Sequence, residues 1–386
     1  MCGGSHGVTA VSCAATLLLC GEMVILPARF IPSPLSMRKR TRPRTTSSRK
    51  QEHVDLTLQE DVGFRTTTTG LERLRFVHNA LPEINLEEVD PSVHFLGRRL
   101  ALPLLVSGMT GGYREALRIN RRLAEACAEA GIGMGVGSQR QALEDTAFHR
   151  TFSVVREVAR DIPVIGNLGA AEVAALRSAA PVARLAELVR ADAFAVHLNP
   201  LQELLQPEGS PAFRGVLRGI GLLVRELPIP VVVKEIGAGI SRDVARRLLD
   251  TGVRFIDVAG AGGTSWAGVE ILRTSGRRRG EAFWDWGIPT ATAVKDVAAL
   301  RKRQPDLTVI ASGGISSGMD IAKSVALGAD LAASARPVLK ALARGGIRGV
   351  TTLLADWGQE LRGAMFLTGS RTTGDLQHVP LVELPS

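Results

Sequence analysis

Eight short apolar runs, each followed by glycines and polar residues and then by a stretch of helical period, predict an α/β fold: one closed (β/α)₈ barrel. The runs recur at intervals of roughly 30 residues, the length of one βα unit. At 45% hydrophobic residues and 41 Gly, the composition suits strands alternating with tight turns and does not suit disorder. A helix behind every strand implies a parallel sheet, and eight units match a closed barrel better than an open one.

In order, the runs are Leu102 to Val106, Gly133 to Val136, Pro163 to Ile165, Phe194 to Val196, Pro230 to Val233, Phe255 to Val258, Leu307 to Ile310 and Asp330 to Ala333. Ahead of them, Val93 to Leu100 predicts a small hairpin that plugs the bottom of the barrel. After the second run, Leu143, Phe148, Phe152, Val155 and Val158 are spaced to share one apolar helix face. Pro181 predicts that the helix after the third run is in two pieces. About 50 residues separate the sixth and seventh runs, so the stretch around Arg277 to Trp286 is expected to be an insertion, a lid or a subunit contact.

The formal charge is +9, but seven Lys or Arg and no acid fall between Arg38 and Lys50. The basic balance therefore belongs mainly to an arm, and such blocks are more often solvated than binding surfaces. Residues 1–47 are expected to be a leader and basic arm, disordered or preceding a true start at Met37, and residues 48–386 a single barrel domain. The apolar stretch Val8 to Leu19 is too short to span a membrane and has no basic n-region. Three of the four cysteines, Cys2, Cys13 and Cys20, lie in the leader and only Cys127 in the body, so neither a disulfide framework nor a zinc spacing follows. A reducing cytoplasm is the expected compartment.

In a barrel of this kind chemistry sits where the strands end, so the residues after each run are the candidates. Glycines in Gly260 to Gly263 and in Gly313-Gly314 are placed for backbone N–H groups to converge on a phosphate, or simply to make tight turns. Lys234 ends a buried strand, where an ammonium needs an anionic or polar acceptor: a ligand, or an internal ion pair with Glu235 or Asp257. Glu203 is a candidate Mg²⁺ ligand with substrate phosphates, or a helix-capping or solvated glutamate. His197 and Asn199 alternate along a strand end and so share the interior face. Arg140 joins Arg49, Lys50 and His53 as a candidate clamp for a diphosphate.

These residues resemble one family, the type 2 isopentenyl-diphosphate isomerases, over roughly residues 48 to 380. The resemblance lies in Arg49-Lys50-x-x-His53, Met109-Thr110-Gly111-Gly112, Gly135-Val136-Gly137-Ser138-Gln139-Arg140 and Asn167-Leu168-Gly169. It continues through His197-Leu198-Asn199-Pro200-Leu201-Gln202-Glu203, Val233-Lys234-Glu235, Gly262-Gly263-Thr264-Ser265-Trp266 and Trp286-Gly287-Ile288-Pro289-Thr290.

The resemblance implies an FMN-linked barrel that interconverts isopentenyl and dimethylallyl diphosphates, needs Mg²⁺, takes NADPH as reductant and assembles as a tetramer or octamer. It also implies that Gly108, Met109, Thr110, Ser138, Asn167, Lys234, Thr264, Gly313, Gly314, Ala335 and Arg336 contact FMN. Arg49, Lys50, His53, Ser138, Gln139, Arg140, His197, Asn199 and Gln202 are implied to surround the substrate, with Glu203 on Mg²⁺ and Gln202 orienting or relaying the migrating proton. Gly108 departs from the family pattern, where Ser or Ala is frequent, and Ala333-Ser334 replaces a Gly-Met pair.

An FMN oxidase or dehydrogenase of 2-hydroxy acids is the nearest rival, but it needs a His base and an Arg late in the barrel, and Ala261 to Trp266 holds neither. A non-catalytic phosphate or nucleic-acid binder working through the basic arm predicts instead a steep salt dependence of binding and no flavin.

Overall fold

A computed structural model describes residue 1, residues 46–274 and residues 280–384. The expectations for the leader and for Arg277 fall on residues outside these. Residues 44–386 form one compact unit.

The described chain begins with helix α1 (Thr46–Gln59), followed by β1 (Leu74–Phe76) and the hairpin β2 (Val93–Phe95) and β3 (Arg98–Leu100). The barrel strands are β4 (Leu104–Val106), β5 (Gly133–Gly135), β6 (Val164–Gly169), β7 (Ala193–His197), β8 (Val231–Lys234), β9 (Phe255–Asp257), β10 (Thr308–Ser312) and β11 (Leu331–Ser334). They close in sequence order, with β11 pairing parallel to β4 through Ala332 opposite Leu104. A last strand, β12 (Leu381–Glu383), pairs antiparallel with β1.

Strand period divides the core in two. Leu104, Val106, Val231 and Val233 point outward into the large layer between strands and helices. Their alternates Leu105 and Val232 point inward, where with Ile165, Ala193, Ala195, Ile310 and Ala333 they fill the barrel. The hairpin closes the bottom as its apolar pattern predicts: Phe95 and Leu100 join the interior cluster, and the Phe95 ring packs edge-on against Phe255. Beside it, buried Arg156 donates to Ile162 O at 2.9 Å and Arg190 O at 3.0 Å and pairs with Asp192, which also accepts from Arg98 at 3.1 Å.

Three expectations need correction. The third strand runs on through Gly166-Asn167-Leu168-Gly169, which the apolar pattern assigns to a loop. The ladder continues because Ile165 through Gly169 pair with Ala193 through His197, and Gly166 leaves space for the Phe194 ring, which a Cβ would meet at 2.5 Å.

The helix expected around Leu143 to Val158 is two helices, Arg140–Glu144 and Arg150–Val158, separated by a short turn of helix capped by Asp145. Leu143 is exposed and does not share the face of Phe152 and Val155. The third helix is indeed in two pieces, Ala170–Ala174 and Ala180–Leu188, but Pro181 opens the second piece rather than dividing a continuous helix.

Candidate active site

Two connected cavities occupy the carboxyl ends of the strands, sharing Gly108, Asn167 and Lys234. The outer one brings together Arg49, Lys50, His53, Met109, Ser138, Arg140, His197, Asn199, Gln202 and Glu203, which lie far apart in the chain.

Helix α1 lies across this mouth. Lys50 Nζ donates to Ser138 O at 2.6 Å, and burial, reinforced by the positive charge of Arg49, pushes its pKa down to about 7. The Arg49 guanidinium is likewise held below its ordinary value, by burial first and by Arg140 second. Cations desolvated and crowded in this way call for an anion. Arg140 reaches Glu144 at 3.2 Å and Glu172 at 3.0 Å.

His197 Nδ1 lies 2.9 Å from Asn167 Oδ1, and the Asn167 amide nitrogen donates to Val136 O, which fixes the amide's orientation. The His197 proton therefore sits on Nδ1. Burial and then the charges of Lys234 and Lys50 push its pKa down to about 3, so the ring is neutral with Nε2 left as an acceptor.

Asn199 precedes a helix, Pro200–Leu205, and donates through Nδ2 to Glu203 Oε1 at 2.9 Å and Gln202 Oε1 at 3.2 Å. The second Glu203 oxygen accepts from Ser210 N at 2.7 Å. Asn199 Oδ1 is buried with no partner among the described residues. An orphaned carbonyl oxygen beside a carboxylate fits a hard cation that takes most of its ligands from water and substrate. No group of three or more His, Cys, Asp or Glu suited to a metal occurs among the described residues.

Lys234 Nζ donates to the backbone oxygen of Glu235 at 2.5 Å and lies 4.0 Å from Asp257 Oδ2, so of the two carboxylates expected for an internal ion pair only Asp257 faces it. The Glu235 carboxylate itself accepts from the amides of Ile236, Gly237 and Ala238, bracing the loop after β8. With the Asn167 amide, Lys234 forms a donor set at the inner cavity that suits the carbonyl-rich edge of an isoalloxazine.

Thr264, Gly313, Gly314, Ala335 and Arg336 gather at the ends of β9 to β11. Gly313 and Gly314 have φ of 98° and 76°, a conformation that favours glycine, and a Cβ at Gly263 would lie 2.4 Å from Gly314 N. Such close backbone approach fits a phosphate cradle.

Two expected contacts are turned elsewhere. Gln139 is fully buried, donating to Leu185 O at 2.8 Å and accepting from Asn167 N at 3.0 Å, so its side chain is turned away from the mouth. Thr110 Oγ1 is bonded to Asn120 Oδ1 at 2.5 Å, away from the cavity. Gly108, the departure noted above, has no room for a side chain, because a Cβ would lie 2.1 Å from Val136 O.

The sequence reading missed the residues behind the mouth. Glu270, on helix Trp266–Arg273, is fully buried and accepts from His53 at 2.9 Å, Gln202 at 3.2 Å and Arg273 at 2.7 Å. Burial pushes its pKa up, but the bonds and charges of His53 and Arg273 outweigh burial and hold it below the ordinary carboxylate value. Arg273 also pairs with Glu208 at 2.6 Å and Glu52 of α1 at 3.6 Å. The available signal was helical spacing: Trp266, Glu270 and Arg273 recur at intervals of four and three and so share one face.

A closed parallel barrel with two adjoining cavities and glycine-rich turns at the carboxyl ends of its strands defines a class, the flavin-binding barrels. The chain matches the family model described as FMN-dependent dehydrogenase over residues 43–166 and 205–382, and it belongs to that family. Solved mandelate oxidases share the fold. One with (S)-2-phenylpropionate has a TM-score of 0.61 at 22% identity, covering 87% of this chain and 95% of its own.

Within that class the chain belongs to the isopentenyl-diphosphate delta-isomerases of type 2. It is 48% identical over 352 residues to the isopentenyl-diphosphate delta-isomerase of Pelodictyon phaeoclathratiforme, covering 88% of this chain and 98% of the relative. It is 50% identical to that of Chlorobium luteolum, with 86% and 95% covered, and 45% identical to that of Methanothermobacter thermautotrophicus, with 87% and 93% covered.

Proposed function

We propose that the protein interconverts isopentenyl and dimethylallyl diphosphates at the barrel mouth, in isoprenoid biosynthesis, with residues 48–386 as the catalytic unit. The observation that carries this is the convergence of Arg49, Lys50 and Arg140 with Asn199, Gln202 and Glu203 on one cavity next to Lys234. In this reading FMN is held by Lys234 and Asn167 at its ring, by Gly108, Met109, Ser138 and the backbone of Thr110 along one side, and by Thr264, Gly313, Gly314, Ala335 and Arg336 at its phosphate. Bound and reduced, it supplies acid and base chemistry at the allylic carbons without net redox change, NADPH being the reductant.

The chain's own residues bind and orient. Arg49, Lys50 and Arg140 would hold the diphosphate, with Ser138, Gln139, His53, His197 and Asn199 near it, and Glu203 with the Asn199 carbonyl would hold Mg²⁺, which would neutralise diphosphate charge. Gln202 is a poor base. Its amide is locked between Asn199 and Glu270, so it orients the hydrocarbon end, while Trp266 and α1 exclude water from the reacting carbons.

A homo-oligomer, tetramer or octamer, in the cytoplasm belongs to the same reading. No described helix is long and apolar enough to cross a membrane. An anaerobic assay with FMN, NADPH, Mg²⁺ and isopentenyl diphosphate tests the proposal. Flavin-dependent dimethylallyl diphosphate supports it, and no product from folded, flavin-loaded protein overturns it.

A further inference from the structure

Arg336 does two things at once. It is the first residue of helix Arg336–Thr368, directly after β11, and its guanidinium donates through Nε to Thr57 O at 3.0 Å and through Nη2 to Glu60 O at 2.7 Å. Those carbonyls lie at and just beyond the last turn of α1, where backbone oxygens lack helical partners.

A cation is favoured at that end of α1, because the helix carries partial negative charge there. The same cation is disfavoured at the start of its own helix, which carries partial positive charge. Burial also works against the charged guanidinium, lowering its pKa. An anion at the ends of β10 and β11 relieves both penalties and leaves Arg336 extended toward α1.

The link matters because α1 buries little of its own surface and is held mainly by polar ties. Only Val54 and Thr57 of its 14 residues are buried, and a helix of this length is marginal on its own. Its remaining ties to the barrel include Ser47 to Gly112 O, Lys50 to Ser138 O and His53 to Glu270. Yet α1 carries Arg49, Lys50 and His53, the residues expected to grip the substrate.

We propose that Arg336 is a positioning residue that couples the cofactor's phosphate to α1, so that FMN binding orders the substrate clamp and the clamped substrate in turn tightens FMN. This rests on the reading that the ends of β10 and β11 take the FMN phosphate. It assigns the phosphate a role that the ring cannot replace.

Hydrogen exchange of the α1 amides tests it in the full chain as apoprotein, loaded with FMN, and loaded with riboflavin, which lacks the phosphate. Flavin occupancy is read separately by absorbance. FMN is expected to slow exchange across residues 46–59 by about tenfold, and riboflavin at equal occupancy by less than about twofold. In Arg336→Gln the difference between the two flavins is expected to vanish and the substrate KM to rise more than kcat falls. Arg336→Lys, with a single point charge, is expected to restore part of the protection.

Equal protection by FMN and riboflavin, or bound FMN with unchanged α1 exchange, overturns the coupling while leaving the cofactor reading intact. Failure of the folded chain to bind FMN overturns both. Because the wild-type comparison of the two flavins decides the matter, a variant that misfolds does not remove the test.

Discussion

The two ends of the barrel carry buried ionic networks of similar composition that serve opposite purposes. At the bottom, Arg156 is surrounded by the carbonyls of Ala159, Arg160, Ile162 and Arg190 together with Asp192, so most of its partners are backbone atoms of the fold itself. At the mouth, Arg273 meets three carboxylates, Glu52, Glu208 and Glu270, drawn from three separate segments. The bottom network locks strands to helices. The upper one holds in register pieces of chain that have little else in common; each end also keeps one buried polar atom without a partner among the described residues, Arg156 Nε below and Asn199 Oδ1 above. A buried ion pair is thus no guide to function until the origin of its partners is known.

The sharpest break in this comparison is at the mouth. Glu203→Gln removes the carboxylate proposed to hold Mg²⁺ and is expected to lower turnover by roughly 100-fold, the scale for losing one charge-stabilising group, with thermal stability unchanged. Wild-type turnover in this variant at low Mg²⁺ would remove the metal assignment.

At the bottom, Arg156→Met removes a buried guanidinium and leaves its carbonyl partners and half-buried Asp192 short of a donor. It is expected to cost about 3–5 kcal/mol in chemical denaturation, while KM and kcat of the protein that remains folded stay at wild-type values. A selective loss of activity would erase the distinction between the two ends.

Glu270→Gln keeps the shape of the upper network but removes the charge that His53 and Arg273 face. About a tenfold fall in kcat is expected, typical of a group one shell behind the reacting atoms, with little change in denaturation midpoint. A large stability loss instead would make Glu270 a structural residue like Arg156.

The mildest test is pH. Lys50 is cationic below its pKa of about 7 and neutral above it, so the site of the free protein loses a positive charge as pH rises through 7. Substrate KM is expected to rise across that window, and Lys50→Arg to move the rise to higher pH. The same shift acts oppositely on folding. Between about 7 and the ordinary lysine value of 10.5 the unfolded chain binds the extra proton, so this group's contribution to stability grows as pH increases. A flat KM profile from pH 6 to 8 would argue against Lys50 as a diphosphate contact.

Much of this molecule was legible in the sequence, but unevenly. All eight strands overlap the apolar runs, though β6 continues four residues past its own, because short apolar runs and turn glycines are local signals. The glycine-rich turns after the sixth and seventh runs were legible for the same reason, being written in residues adjacent in the chain. The resemblance could not say which atoms of Gln139 and Thr110 are available, and here both side chains brace neighbouring elements. Glu270 and Arg273 were passed over because they lie on the helix that follows the loop after β9, where nothing local distinguishes a buried carboxylate from a solvated one.

By itself, then, the sequence determined the barrel, its order of strands and the glycine-rich turns at the strand ends, since each depends on contacts within about one βα unit. Only the tertiary structure decided that α1 crosses the mouth, that His197 is neutral, that Glu270 stands behind Gln202, and that Arg336 reaches the end of α1. Those outcomes depend on burial and on charges brought together from hundreds of residues apart. Neither desolvation nor through-space charge has a period that can be read along a chain.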